Sequence, residues 1–574
     1  METAPAAPDV AAPKKKQSEA VVIIASSVGS VFEWYDFFLY GTLLVFINKH
    51  FYTGVDETTG YILALGTFSA GFVVRPFGAL VFGWVGDMVG RKATFLVAMV
   101  IMGASTFLVG FLPGADWFQS TMGAGVIAPI ILVILRVLQG LAVGGQYGGA
   151  VTYVAEHAPP GKRGLYTSWI QITATVGLLA SLALIIVVRL NMTPEAFAEW
   201  GWRIPFVMSI FLLVGSIMIR RLLDESPVYA KMKAAGAQTK APFKEAFGKW
   251  SNLKYVLIAL FGAVAGQACV WYSGTLYGLF FLQKQMKLPD IDAYTIMAIA
   301  LAVGTPAYVF FGWLSDKIGR KPLVLLGLIL PAITYAPIFP WSVFHQITNY
   351  SNPAMARALE TNKVMVEADP TKCSLMFDPV GKNKFNDKAC DIAKAFLSNN
   401  GVNYDIKTVP GTAARVIVGE EVFDAPDPTM MSAEERNAAV PKFQAALGAK
   451  LKSAGYTVSD DPKNPVFASH DQINYPMAIF FIALTTIFTA MIYGPMAAML
   501  VELFPARIRY TSLSLPYHIG NGWFGGLLPT TAFMIVASTG NIFSGLWYPV
   551  IVASFTFVIA LFFLPETYKR DINH

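Results

Sequence analysis

Cysteine is almost missing from this chain: three in 574 residues exclude a disulfide scaffold or a multi-cysteine metal site. Charge is scarce as well. Asp, Glu, Lys and Arg make up 14% of the residues against 55% hydrophobic, and the mean hydropathy is +0.51, which excludes a soluble enzyme of this size and points to lipid as the main solvent. The formal charge of +6 comes without a basic stripe interleaved with aromatics, so nucleic acid is not an expected partner. The opening METAPAAPDVAAPKKKQSEA lacks the short apolar region and small-residue cleavage site of a signal peptide, and residues 1–20 read as a disordered tail.

What the chain does have is long apolar runs. A spanning helix needs about 20 mainly apolar residues, because lipid offers no partner for backbone N–H and C=O groups. Twelve such stretches run approximately 21–47, 60–85, 93–112, 124–153, 165–189, 203–221, 254–282, 293–314, 322–344, 475–500, 511–537 and 545–565. Basic residues set the orientation: 22 lie in the tails and short loops of one side, from Lys14–Lys16 to Lys569 and Arg570, against five in the short loops of the other, Lys49, Arg189, Arg203, Lys284 and Lys287. Both termini are therefore expected in the cytoplasm of a multi-pass protein of the cell (inner) membrane.

A repeat divides the chain. GWVGDMVGRK at Gly83–Lys92 returns as GWLSDKIGRK at Gly312–Lys321, 229 residues later, which implies two six-helix halves. A second echo, Glu156-x-x-Pro159-x-x-x-Arg163 and Glu502-x-x-Pro505-x-x-x-Arg509, has an offset of 346, so 117 extra residues lie between the two echoes of the second half. They fall at 345–474, where hydropathy lapses on the outer side. That insert carries 14 basic and 16 acidic residues, a capping-box spacing at Ser432 and Glu435, and strand-like ARVIVGEEVF, hence a small soluble α+β unit. Cys373 and Cys390 both lie in it, and a disulfide in an oxidising compartment is preferred over two buried thiols. The expected domains are the tail 1–20, a helical bundle 21–222, a cytoplasmic linker 223–253, a second bundle from 254–344 and 475–566, the extracytoplasmic insert 345–474, and a cytoplasmic tail 567–574.

Few ionisable groups remain at membrane depth: Glu33, Asp36, Arg75, Arg136 and His518. Each is costly there and calls for a partner or an aqueous cavity. Glu33 and Asp36 share a helix face and lie roughly 18 and 22 Å above the cytoplasmic edge, with Arg75 at roughly 18 Å and Arg136 at roughly 26–30 Å. A carboxylate facing an arginine across a wet cavity can exchange its proton, so these four are the candidates for proton coupling; permanent ion pairing for packing is the alternative.

The repeated loop joins one helix end to the next helix start. Its aspartate can accept from a helix N-terminus or from arginines, which makes Gly83, Asp87, Gly90, Arg91, Lys92, Glu156, Arg163, Asp316, Gly319, Arg320, Lys321, Glu502 and Arg509 a candidate cytoplasmic gate. In the seventh stretch Gln267, Trp271 and Thr275 fall on one face, with Tyr272 and Tyr277 beside it; His518 and Asn521 interrupt the eleventh, and Gln146 and Tyr147 follow Arg136 in the glycine-rich fourth. These are candidate substrate contacts, with helix packing as the competing role. The insert shows no nucleophile arrangement and no metal-ligand spacing, so no catalytic residue and no metal site is expected.

The duplicated loop resembles the signature of the major facilitator superfamily. EWYDFFLYG at Glu33–Gly41, RPFGALVFG at Arg75–Gly83, RVLQGLAVGGQYGGA at Arg136–Ala150 and VWYSGTLYGLFFLQ at Val270–Gln283 resemble its metabolite:proton symporter family. The resemblance spans nearly everything but the tail and the insert. It implies an all-α membrane protein of twelve transmembrane helices in two six-helix bundles, rocking about a central cavity and moving a small organic solute with protons. Family solutes include di- and tricarboxylates, shikimate-like acids and zwitterionic osmolytes. Many relatives carry glutamate where this chain has Gln146, which shifts the proton site toward Glu33 and Asp36. The expectation is thus a carboxylate symporter acting as a monomer, not an enzyme, with the solute and the bilayer as partners and no cofactor beyond the coupling proton; a betaine or proline symporter, an uncoupled facilitator and a transporter-like sensor are the alternatives.

Overall fold

The computed structural model describes residues 19–55, 57–89, 91–221, 241–374, 388–459 and 466–572. Each of the twelve apolar stretches contains helix. Among the described residues, eight helices are long and apolar enough to cross a membrane: Gly60–Phe82, Ile127–His157, Arg163–Leu190, Gly201–Met218, Trp250–Gln285, Asp290–Ile318, Tyr475–Leu503 and Ser544–Phe563. The third span is bent by 67° between Val97–Phe111 and Ala115–Met122, next to Pro113 and Gly114. The first runs over Glu19–Thr42 and Leu44–Phe51, and the eleventh over Arg509–Ile519 and Leu528–Thr539 with a π turn between.

The ninth span departs from the sequence expectation of 322–344. Its helix ends at Thr334, because Pro331, Pro337 and Pro340 withhold the amide donors that would carry it further. At about 21 Å it is shorter than the hydrocarbon core.

Glycine decides how the spans of the first half meet. Any Cβ at Gly140 would collide with the Gly71 carbonyl, at Gly144 with the Arg75 carbonyl, and at Gly78 with Leu141. The second and fourth spans therefore touch backbone to backbone, the close approach that small residues permit in membranes. This contact brings Arg75 and Arg136 into one neighbourhood. Across the molecule, Arg163–Leu190 packs on the first span of its own half and on the eighth and tenth of the other, forming the seam between halves.

The insert is α+β. Strands β1 (Val364–Ala368), β2 (Asp405–Thr408), β3 (Arg415–Val418) and β4 (Glu421–Asp424) order as β2-β1-β3-β4, with β1–β2 parallel and the other pairs antiparallel. ARVIVGEEVF forms the hairpin β3–β4, turning at Gly419, whose φ of +65° suits glycine. Val364, Val366, Val416 and Val418 are buried, following the two-residue strand period. Ser432 and Glu435 cap the helix Ala433–Ser453 reciprocally, and Cys373 and Cys390 form a disulfide.

Candidate functional site

Four arginines are among the largest fully buried side chains of the protein: Arg75, Arg136, Arg320 and Arg509. Two sit mid-span and two at the end of the bundle that carries the repeated loop.

The mid-span pair stands among aromatic rings. The Arg75 guanidinium lies 4.1 Å from the Phe37 ring centre, 4.2 Å from Phe72 and 5.1 Å from Trp34; that of Arg136 lies 4.4 Å from Phe37, 4.7 Å from Tyr40 and 5.3 Å from Phe68. Such a face stabilises a desolvated cation by about 2 kcal/mol or more. Arg136 Nη1 also donates to the Gln139 side chain and, at 3.4 Å, to the Phe37 carbonyl. Gln139 in turn donates to the Asp36 backbone carbonyl at 3.1 Å and to Thr106 Oγ1 at 2.6 Å.

Among the described residues no carboxylate lies within ion-pair reach of either guanidinium. Nε, Nη1 and Nη2 of Arg75 and Nε and Nη2 of Arg136 lack an acceptor there, and the Tyr272 hydroxyl lies near Arg75. The expectation of a carboxylate facing Arg136 meets a different geometry at Asp36, whose buried side chain makes no hydrogen bond to either guanidinium. The Glu33 side chain lies outside the described residues.

His518, with both ring nitrogens also lacking a partner, closes the site from the eleventh span. It lines a cavity of about 10 Å³ with Ser30, Trp34, Val143, Tyr147, Ile170 and Thr173, room for a single water. The Asn521 amide donates to Gln267 Oε1 at 3.4 Å, the Trp271 ring is 5.2 Å from Phe38, and the Tyr272 ring is 5.2 Å from Phe72. Gln146 is buried where the fourth span breaks, between Ile127–Gly144 and Tyr147–His157. Gln267, Trp271, Tyr272, His518, Asn521 and Tyr147 thus converge on the seam. Thr275 and Tyr277 stand apart. A π turn at Ser273–Tyr277 shifts the face, so Thr275 Oγ1 donates to its own helix at Trp271 O, and Tyr277 packs on Phe281, Phe344 and Phe533.

Several residues at the site carry no sequence signal beyond packing. The Tyr147 and Tyr517 rings stack at 3.4 Å, and the Tyr493 and Tyr517 hydroxyls share a 2.6 Å hydrogen bond. Gln171 accepts from the Tyr147 hydroxyl at 3.0 Å and donates to Tyr493 O at 3.1 Å, tying the halves together.

At the loop end the second pair of arginines is densely satisfied. Asp316 accepts from the Gly164 and Leu165 amides at 2.9 Å each, at the start of the fifth span in the other half, and from Arg320 at 2.7 Å. Glu502 holds Arg320 at 3.1 Å, Arg163 at 3.6 Å and the Thr567 hydroxyl at 2.8 Å. Burial alone would lower the Arg320 guanidinium, but the Glu502 and Asp316 carboxylates outweigh it and hold it above its ordinary value. Arg509 pairs with Glu156 at 3.0 Å across the halves. The chain end joins in: Glu566 accepts from the Arg320 and Lys321 amides beside Gly319, and Arg163 and Arg509 donate to the Arg570 and Ile572 carbonyls. The first copy of the loop is not comparable, since Gly90 and the side chains at Gly83, Asp87, Arg91 and Lys92 lie outside the described residues.

The described residues thus form long apolar helices in two packed halves, with an ion-pair network across one end and buried polar groups at mid-span. Residues 21–245 and 462–574 match the family model for the sugar (and other) transporter, and the gap between them contains the insert. The chain is 35% identical over 335 residues to a shikimate transporter of Escherichia coli, covering 56% of this chain and 74% of the relative. It is 32% identical over 328 residues to the proline/betaine transporter of the same organism, covering 55% and 63%. A solved proton:xylose symporter, XylE, superposes with a TM-score of 0.60 at 14% identity, over 97% of this chain and 98% of that one. The protein is a multi-pass membrane transporter, not an enzyme, and belongs to the sugar (and other) transporter family, with a fold it shares with that symporter.

Proposed function

We propose that the protein is a proton-coupled symporter of a small organic anion, most simply a carboxylate, working by alternating access. One observation carries this reading: two guanidiniums at mid-span, deeply buried, with nitrogen donors unspent and no carboxylate of the described residues beside them. A buried cation left so costs several kcal/mol, which a bound anion would offset with charge-assisted hydrogen bonds. Arg136 and Arg75 are the anion partners in this reading, with Tyr272, Gln267, Asn521 and His518 around the solute body. Asp36 or Glu33 carries the proton, the ion-pair network is a latch facing the cytoplasm, the insert faces outside, and the closed latch with the one-water cavity corresponds to an occluded resting state.

A zwitterion such as betaine is the second reading, favoured by the ring-rich surroundings that also suit a quaternary ammonium group. Uptake of labelled carboxylates, shikimate-like acids, proline and betaine into energised proteoliposomes, with and without a protonophore, separates the two. Protonophore-sensitive carboxylate uptake is the expected result. Uptake of betaine or proline alone would discard the anion site, and carboxylate uptake indifferent to the protonophore would discard coupling. Asp36→Asn should then retain solute counterflow while losing uphill accumulation; loss of both would assign Asp36 to structure.

A further inference from the structure

Among the described residues, the hydrogen bonds that fasten the insert to the membrane helices go to the second half. Asn352 Nδ2 donates to Met286 O at 2.9 Å and the Ala468 amide to Lys287 O at 2.8 Å, at the end of the seventh span. Beyond the eleventh span the Tyr404 amide donates to Gly540 O at 2.9 Å, and the Ile542 amide donates to Asn403 Oδ1 at 2.8 Å. The His345 ring stacks on Phe543 at 3.9 Å. Gly540, with φ of +76°, lies so close to Tyr404 that a Cβ would sit 2.6 Å from its ring. Among the described residues no hydrogen bond joins the insert to the first half.

Its edge nevertheless overhangs the joint between the halves. Ser398 and Asn399, at the end of an insert helix, line a cavity of about 40 Å³ together with Lys284 and Gln285 of the seventh span, Phe533 and Ala537 of the eleventh, and Tyr61 and Ile62 of the second. Three separate parts of the protein wall this space. Gln285 is 3% exposed, and its Oε1 finds no hydrogen-bond partner among the described residues. The Lys284 ammonium lies 4.7 Å from the Tyr61 ring centre. Asp290, held by Gln283 at 3.0 Å, offsets part of that charge. The first half closes the space through apolar contacts, Ile62 on Ala537 and Tyr61 against Phe280 and Phe533. Farther along the same helix Ser69 Oγ donates to Gly526 O at 3.0 Å and shares a 2.8 Å hydrogen bond with Thr530, so parting the halves exchanges those bonds, while the contacts at the space itself are apolar.

We infer that the insert completes a second, outer solute site, in which Lys284 meets the carboxylate of an organic anion while Gln285, Ser398 and Asn399 meet its hydroxyls. The inference rests on the anion reading of the mid-span site. As the first half swings away, Tyr61 and Ile62 retreat and the space widens into a mouth whose floor and roof move together, because both belong to the second half. The orphaned Gln285 oxygen needs a donor there, and a hydroxylated carboxylate supplies one. At about 40 Å³ the closed space holds water alone, so solute leaves it before closure.

The test uses saturation-transfer NMR titration of the full chain in detergent with shikimate as probe. In wild type, shikimate binds. In Arg136→Gln, which removes the mid-span anion partner, a weaker binding remains, and adding either Lys284→Gln or Asn399→Ala weakens it about tenfold further, the loss expected for one charge-assisted contact or its neighbour. Asn399 is on the insert, so its replacement keeps the test open if Lys284→Gln fails to fold. Loss of all shikimate binding in Arg136→Gln alone, in a protein that still elutes as a folded species, would overturn the outer site and leave the mid-span site standing. Residual binding unmoved by both added substitutions would overturn it too. Absence of binding in wild type to shikimate and to other carboxylates would overturn the anion reading and the outer site with it.

Discussion

The two pairs of buried arginines answer the same physical problem in opposite ways. Arg320 and Arg509 are neutralised by Asp316, Glu502 and Glu156, and the pairing joins the two halves of the protein. Arg75 and Arg136 are equally buried but stand among rings, with donors left over. A charge whose partners are all supplied by the chain closes a structure; a charge whose partners are withheld is prepared for something that arrives. On the proposed reading the first pair is a latch and the second a seat.

The sharpest way to break that contrast is Arg136→Gln. On the anion reading, carboxylate uptake measured as kcat/KM in proteoliposomes should fall on the order of 100-fold, the loss expected for a buried charge-assisted contact, and Arg136→Lys should not restore the forked geometry. Unchanged uptake would make the mid-span pair structural. Glu502→Gln comes next. It leaves Arg320 and Arg163 sharing a weaker partner, with about 3–5 kcal/mol at stake if the buried network breaks. A cysteine introduced at Ser168, which packs on Gly312 at the seam, should alkylate faster in that background; equal rates would separate the network from opening.

Smaller effects belong to the insert. Cys373→Ser removes a bridge across 17 residues and should destabilise the insert by about 3 kcal/mol, seen as faster limited proteolysis within 345–474. Uptake should fall less than in Arg136→Gln, and a complete loss would mean that the insert is needed to hold the carrier together. The smallest effect is an acid one. Hydrogen bonds from Lys407 and Arg415 hold the Glu367 carboxyl below its ordinary value, and the Gly411 and Thr371 donors bring Asp369 down to about 2. Depressed values stabilise the folded insert above the unfolded carboxylate range and lose that contribution as pH falls through the folded values. Insert proteolysis should therefore stay flat from neutrality to about pH 4.5 and rise only below it.

Much of the fold was legible because lipid leaves a chain so few choices: an apolar run of sufficient length is a helix, and a repeated loop at a fixed offset is a repeated half. The insert was legible as the place where hydropathy lapses and two echoes disagree in spacing. At the site, Arg75, Arg136 and His518 stood out as rare charges in apolar surroundings. Their surroundings did not. Phe37, Phe68 and Phe72 look like any packing residues until a guanidinium is found against them, and Gln139 reads as one polar residue in a glycine-rich helix. The tail residues Glu566 and Thr567 were hidden for the opposite reason. They follow the last span in a polar stretch that reads as solvated, and only three dimensions return it to Arg320 and Glu502. Hydropathy alone makes the ninth span too long, because it counts proline-rich apolar sequence as though it could be helix.

The seventh span contains three π turns, at Leu260–Val264, Ser273–Tyr277 and Phe281–Gln285. Each holds one residue more than the α-helical turn it replaces. Elsewhere in a helix, removing one residue would rotate everything beyond it by about 100° and misplace every side chain on the far side. Here a single deletion can be absorbed by letting one π turn revert to α, with both ends of the span and the insert bonded beside it left in place. This span can accept changes of length as well as of residue, and so it offers the family a way to redraw the inner wall of the carrier one step at a time.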